Sequence, residues 1–264
     1  MDKIMSASYE LDSKTSSKIK AKIAKSSSHK LFDGFKGDKT INEVLDKPAI
    51  MTVYGMIKSG IISYVNGAVS AGKESVVFWA VDGKGVDIAL KIHLVTTTNF
   101  KNRMSYIDGD HRFGKIKKGT RNMVNLWARK EFTNMVLCYN KGIHVPEPIQ
   151  ISKNVIASRF IGSKGLPQKT LHTSQISNKD YVETVSIIKK MYLKAGLVHG
   201  DLSEYNIFKD PSGLIVFDLG SGVNKKHPNA LGFLKRDINN ITRFFVKRGL
   251  IVKNPIDVLK EVIE

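Results

Sequence analysis

Apolar residues alternate with polar ones over 61–65, 76–81 and 86–92, and the last two stretches are separated by the turn Asp82-Gly83-Lys84-Gly85. A period of two broken by a glycine-rich turn predicts neighbouring strands. Ahead of them, Thr40-Ile41-Asn42-Glu43 reads as a capping box for a short helix broken near Pro48, and 49–58 carries apolar residues at helical spacing up to Ser59-Gly60. Behind them, a polar connection over 96–119 is longer than a compact domain normally uses. The helical period returns over 120–141, with Val124, Trp127, Glu131 and Met135 on one stripe and Gly142 as the stop. A strand is expected over 155–161, then a helix from Ser177 that buries Tyr181, Val185, Ile188 and Met191 and ends at Gly196. Two short apolar runs follow, Leu197-Val198 and Ile215-Val216-Phe217. Pro228 suits the first turn of a further helix through Leu234, Ile238 and Phe245, and a last one begins near Pro255. Residues 1–40 are rich in Ser and Lys with little periodicity and read as a loosely held arm.

The chemistry gathers where the apolar runs end. Asp201 follows the first short strand, Asp218 follows the second, and Asn206 stands five residues after Asp201. One such Asp is usually a turn residue, but three polar groups at fixed spacing between apolar strands need a joint reason. Phosphoryl transfer supplies it: one Asp takes the proton of an attacking hydroxyl, while an Asn and a second Asp hold Mg²⁺ against a nucleotide's phosphates. Lys91, between apolar neighbours at a strand end, wants an anion, and Glu131 on the buried stripe of the 120–141 helix wants a cation. Between the first two strands, Gly67 to Ser75 nearly matches a P-loop, with Gly67, Gly72 and Lys73 in place. Glu74 stands where a hydroxyl is needed, however, and the following segment is strand-like. A hairpin loop that brings backbone amides, Ser70, Lys73 and Ser75 to phosphate is the better reading.

Composition adds a partner class. Lys and Arg number 42 against 24 Asp and Glu, a net charge of +18 that attracts polyanions such as rRNA or a ribonucleoprotein. The excess concentrates in 101–130 and 225–253. No apolar run approaches the roughly 18 residues of a membrane helix, the start lacks the apolar core of a signal peptide, and the single Cys138 fits a reducing compartment. The expectation is a cytoplasmic protein with no membrane partner.

The motifs resemble those of RIO-type atypical serine kinases, the first RIO subfamily in particular. Its catalytic loop, H-x-D-L-S-E-Y-N, stands here as His199-Gly200-Asp201-Leu202-Ser203-Glu204-Tyr205-Asn206. Its phosphate loop is similar to Ser70-Ala71-Gly72-Lys73-Glu74-Ser75, and Trp127-Ala128-Arg129-Lys130-Glu131-Phe132 and Phe233-Leu234-Lys235-Arg236-Asp237-Ile238 also match. The resemblance implies an α+β, two-lobed kinase-like fold. Its parts are an arm at 1–40, helices at 41–60, a β-rich N-lobe at 61–157 with a mobile loop at 96–119, a hinge at 158–162 and a reduced helical C-lobe at 163–264. It implies that Asp201 is the catalytic aspartate, that Asn206 and Asp218 bind Mg²⁺ (or Mn²⁺ in its place), that Lys91 contacts ATP phosphates and that Glu131 orients Lys91. It also implies that Ser70, Lys73 and Ser75 line the phosphate site, that Arg159 and Ile161 lie beside adenine, and that Ser105 is a weak candidate for autophosphorylation. The expected role is serine phosphorylation, of another protein or of itself, or ATP hydrolysis, during maturation of the pre-small-ribosomal-subunit particle.

Two positions depart from the family pattern. The hinge reads Ser158-Arg159-Phe160-Ile161-Gly162 where M-E-F-I-G is usual, and Gly222 stands where a Gln is common. A small-molecule phosphotransferase of the aminoglycoside or choline type shares the H-G-D-x4-N loop, but a cationic substrate fits poorly with a charge of +18. A non-catalytic ribosome-binding scaffold is the third reading, and the presence of Lys91, Asp201, Asn206 and Asp218 argues against it.

Overall fold

The computed structural model of the chain describes residues 45–95, 103–113 and 118–264. Strands β1 (Tyr64–Ala71), β2 (Ser75–Val81), β3 (Asp87–His93), β4 (Pro148–Ser152) and β5 (Val155–Arg159) form one sheet in the order β1-β2-β3-β5-β4. Every neighbouring pair is antiparallel. In β3 the alternation sends Ile88, Leu90 and Ile92 into a core shared with Ala49, Val53, Met56 and Ile57 of helix α1 (Lys47–Lys58). Lys91 and His93 are thereby left on the opposite face of the sheet.

Pro48 opens α1 instead of breaking a helix: it lies in the first turn, where its missing N–H needs no partner, and the Asp46 carboxylate accepts from Ala49 N at 2.9 Å. The capping box at Thr40 and Glu43 lies outside the described residues. β1 starts later than its alternation suggests and runs on through Gly67 to Ala71, which shortens the phosphate-loop turn to Gly72-Lys73-Glu74. Register shifts between Val65 and Ala68 and between Ala68 and Ser70 absorb the extra residues, so glycine-containing chain stays in the sheet.

Helix α2 (Thr120–Asn140) follows the connection, of which 96–102 and 114–117 lie outside the described residues. Its Glu131 reaches β3, while its Ala128, Met135 and Cys138 belong to a second core built from the C-terminal half. That core gathers α3 (Asn178–Lys194), α4 (Ala230–Lys247) and α5 (Pro255–Ile263) around residues such as Met191, Leu197, Ile238, Phe245 and Val262. A short β6–β7 ladder (Gly162–Ser163, Leu166–Pro167) follows β5.

Two further ladders aim the loops that matter. β8 (Leu197–Val198) pairs with β11 (Val223–Asn224), and β9 (Ile207–Asp210) forms a hairpin with β10 (Gly213–Val216). The hairpin opposes Ile207 to Val216, and Phe217 N extends it by donating to Asn206 O at 3.0 Å. The loop 199–206 and the turn after Asp218 therefore leave the same edge of the lower lobe side by side. Sheet above and helical half below give the α+β, two-lobed arrangement.

Candidate active site

Lys91 joins three distant stretches of chain. Its Nζ lies 2.7 Å from Glu131 Oε1 and 2.7 Å from Asp218 Oδ1. Burial works to lower the pKa of this ammonium, but Asp218 and Glu131 outweigh it and hold the group above the ordinary lysine value. Glu131 is only 1% exposed. Burial favours its neutral form, yet Lys91 and His93 beside it bring the carboxyl down to about 2, so it is ionised at neutral pH. His93, two residues along β3 and on the same face, places Nε2 3.0 Å from Glu131 Oε2. Period-two spacing was the signal that could have marked it.

Asp218 adopts a left-handed backbone, φ 61° and ψ 57°, which short polar residues tolerate better than most. Its side chain is 49% exposed, so one carboxylate oxygen meets Lys91 while the group still faces the cleft. Asn206 donates Nδ2 to Asp201 O at 2.8 Å, which turns its Oδ1 the other way. An amide oxygen and a carboxylate are hard oxygen donors of the kind Mg²⁺ takes, and the donor set fits that ion. Among the described residues no cluster of three His, Cys, Asp or Glu forms a cage independent of a ligand.

Asp201 lies at the solvent side of the loop. Protein packed against its inner side raises its carboxyl pKa, and Asp218 adds to that, while His199 and Arg236 pull the other way. The loop itself is held by backbone anchors. Asp237, 1% exposed on α4, accepts from Gly200 N at 2.7 Å and Leu202 N at 3.0 Å, while Arg236 donates to Gly200 O. His199 accepts from Asp201 N at Nδ1, 3.3 Å, and donates from Nε2 to Phe217 O at 3.1 Å, tying the two carboxylate-bearing loops together. Gly200 has φ +79°, and a Cβ there would meet Ser221 O at 2.6 Å, so the close approach of the loops requires glycine.

Two acids at adjoining loop ends, an oriented amide and a doubly paired lysine make up a phosphoryl-transfer constellation. The RIO domain profile matches residues 76–257, which contain all of these groups. The RIO-type serine/threonine-protein kinase Rio1 of Haloferax volcanii is 35% identical over 212 residues, covering 80% of this chain and 73% of that protein. The chain belongs to the RIO kinase family. The serine/threonine-protein kinase RIO1 of Homo sapiens is also 35% identical, but the chain spans 39% of its length. In structure it is similar to the Rio2 kinase of Chaetomium thermophilum, with a TM-score of 0.63 and 25% identity over 80% of this chain and 66% of that one. A second structure, the Rio2 kinase–ADP/Mg²⁺–phosphoaspartate complex of the same organism, gives a TM-score of 0.62 and 23% identity over 94% of this chain and 75% of that one. The RIO fold is thus carried by both sequence and shape.

The other expected site residues of this RIO chain lie on β1, β2 and β5 and in the turns beside them. Ser70 ends β1, Lys73 occupies the turn and Ser75 opens β2, while Arg103 Nη2 holds the intervening Glu74 at 2.8 Å. Arg159 at the end of β5 pairs with Glu147 at 3.1 Å, and Ile161 O accepts from Gln168 N at 2.9 Å. Both hinge residues are therefore engaged with protein, and the guanidinium is directed to a carboxylate outside the Lys91 cluster. Ser105 is exposed. His93 and Asp237 have no role in the sequence reading. Asp237 lay in plain view inside the Phe233–Ile238 motif, but only the fold shows that a helical acid there serves loop amides.

Proposed function

We propose that this chain is an ATP- and Mg²⁺-dependent serine kinase whose target is a protein, itself included, and that it acts in the cytoplasm during maturation of the small ribosomal subunit. The observation that carries the catalytic part is the Lys91 ammonium bridging Glu131 and Asp218 at 2.7 Å each. A lysine held charged at a strand end between two acids from other segments is the arrangement by which phosphoryl-transfer sites position a phosphate-binding ammonium.

In this reading Lys91, oriented by Glu131, binds nucleotide phosphate, and Gly72, Lys73 and the flanking Ser70 and Ser75 bring amides and hydroxyls to the same group. Asn206 and Asp218 hold Mg²⁺, which when bound supplies charge neutralisation on the phosphates. Asp201 accepts the proton of the attacking serine hydroxyl as its oxygen bonds to the γ-phosphorus and the bond from that phosphorus to ADP breaks. Adenine lies against the backbone of 159–161. The family membership and the Rio2 complex with ADP and Mg²⁺ support the cofactors.

A second reading, ATP hydrolysis through a phosphorylated aspartate, is favoured by the half-exposed side chain of Asp218, and a Rio2 kinase of Chaetomium thermophilum has been solved as a phosphoaspartate complex. The two are separated by incubating the protein with γ-labelled ATP. Acid-stable phosphoserine is expected for the kinase, and a hydroxylamine-labile label lost in Asp218→Asn for the ATPase. No transferred label and no hydrolysis would end both. The net charge of +18 supports an RNA-containing partner and counts against a cationic small-molecule substrate.

A further inference from the structure

The turn that follows Asp218 lies flush against α2. Lys130, fully buried, donates its Nζ to Gly220 O at 2.9 Å and also to Gly222 O. One turn on, Asn134, equally buried, donates Nδ2 to Leu219 O at 2.8 Å and Gly222 O at 2.9 Å. The amide's orientation is fixed from behind, because Arg112 Nη1 donates to Asn134 Oδ1 at 2.8 Å, and Arg112 is itself held by Asp110 at 2.6 Å. Two glycines make the approach possible. A Cβ on Gly220 would meet Trp127 Nε1 at 2.8 Å, and one on Gly222 would meet Asn134 Nδ2 at 2.8 Å. Gly222 has φ −63°, so it is small for room and not for backbone freedom.

A fully buried ammonium is costly: burial, joined by the Arg112 charge and opposed by Asp110 and Glu131, takes Lys130 down to about 7. Its two carbonyl partners belong to the turn, so the turn and the lysine each satisfy what the other would leave orphaned. The neighbouring residue on α2 is Glu131, the anchor of Lys91. One helical turn therefore carries Glu131, one partner of Lys91, and grips the backbone that follows Asp218, the other partner.

We propose that Lys130 and Asn134 are positioning residues that lock the backbone of 219–222 onto α2 and thereby set where the Asp218 carboxylate stands relative to Lys91 and Asn206. This rests on the reading of Asp218 as a metal ligand. Outer groups that orient a ligand without touching the metal commonly govern its affinity, and the clamp acts in that way on divalent-cation binding more than on nucleotide binding.

The test is Mn²⁺ binding to the full chain with ADP present, followed by electron paramagnetic resonance, beside the KM for ATP at saturating metal. Asn134→Ala and Gly222→Ala are each expected to weaken Mn²⁺ at least about tenfold while the KM for ATP stays within about threefold. The double variant should bind little worse than Asn134→Ala alone, since the added methyl is then relieved of its 2.8 Å clash with Asn134 and meets only Leu219 O at 3.1 Å. Lys130→Met should behave as Asn134→Ala does wherever it folds, and the other two variants carry the test if it does not. Asp218→Asn is the control. If it weakens Mn²⁺ while the clamp variants stay at wild-type affinity, or if they change both constants equally, the clamp is overturned and the metal site stands. If Asp218→Asn leaves Mn²⁺ binding unchanged, the metal reading itself fails and the clamp with it.

Discussion

Asp201 and Asp218 bear the same carboxylate in different surroundings, and the difference suits the separate roles proposed for them. Asp218 faces an ammonium at 2.7 Å, whereas Asp201 meets protein on one side and has its pKa raised. A base with a raised pKa accepts a proton more readily, so the acid limb of kcat/KM is expected to lie above that of an ordinary aspartate. Asp201→Asn should keep ATP binding and lose turnover by at least about a hundredfold; unchanged turnover would remove it from the mechanism. Glu131 gives a stability prediction. Its folded carboxyl sits at about 2 against an ordinary 4.5, so between these values the unfolded chain binds more protons. The pair's contribution is complete above pH 4.5 and disappears as pH falls towards 2. Urea unfolding of wild type and Glu131→Gln should therefore differ by a constant amount near neutrality and converge in acid.

Elements explain why those residues meet. α4 presents Asp237 to two loop amides, and deleting its carboxylate leaves both buried donors without a partner. Asp237→Ala is expected to cost about 1–3 kcal/mol of stability and to lower kcat with little change in ATP affinity, checked by denaturation and steady-state kinetics. β3 shows how far sequence reaches. Its alternation places Leu90 inward and Lys91 outward without a structure, and Leu90→Ala should cost about 2–5 kcal/mol. The same logic put Glu131 on a buried stripe. What alternation could not supply was the extent of β1, because bulges keep a glycine-containing stretch in the sheet that local preference assigns to a loop. Nor could it show that Pro48 starts a helix, since that depends on Asp46 being free to cap it. The roles of Asp237, His93 and the Lys130–Asn134 clamp are contacts between segments far apart in sequence, which no local period encodes.

At the scale of the whole molecule, charge governs which partners approach. With +18 overall, binding to rRNA or a pre-ribosomal particle should fall steeply as salt rises, because each neutralised phosphate releases a counterion. A plot of log K against log salt with a slope near zero would return the basic stretches to ordinary solvated surface. Between the lobes the balance reverses. One ammonium, Lys91, stands among Glu131 and Asp218, so that trio sums to a single negative charge, with Asp201 close by. Inside a basic exterior there is thus an acidic cluster, and on the proposed function a bare nucleotide tetra-anion would be repelled at the last step by those acids. Admission should accordingly depend on what the nucleotide brings along: calorimetry is expected to show ATP entering with its divalent companion and scarcely at all in excess EDTA.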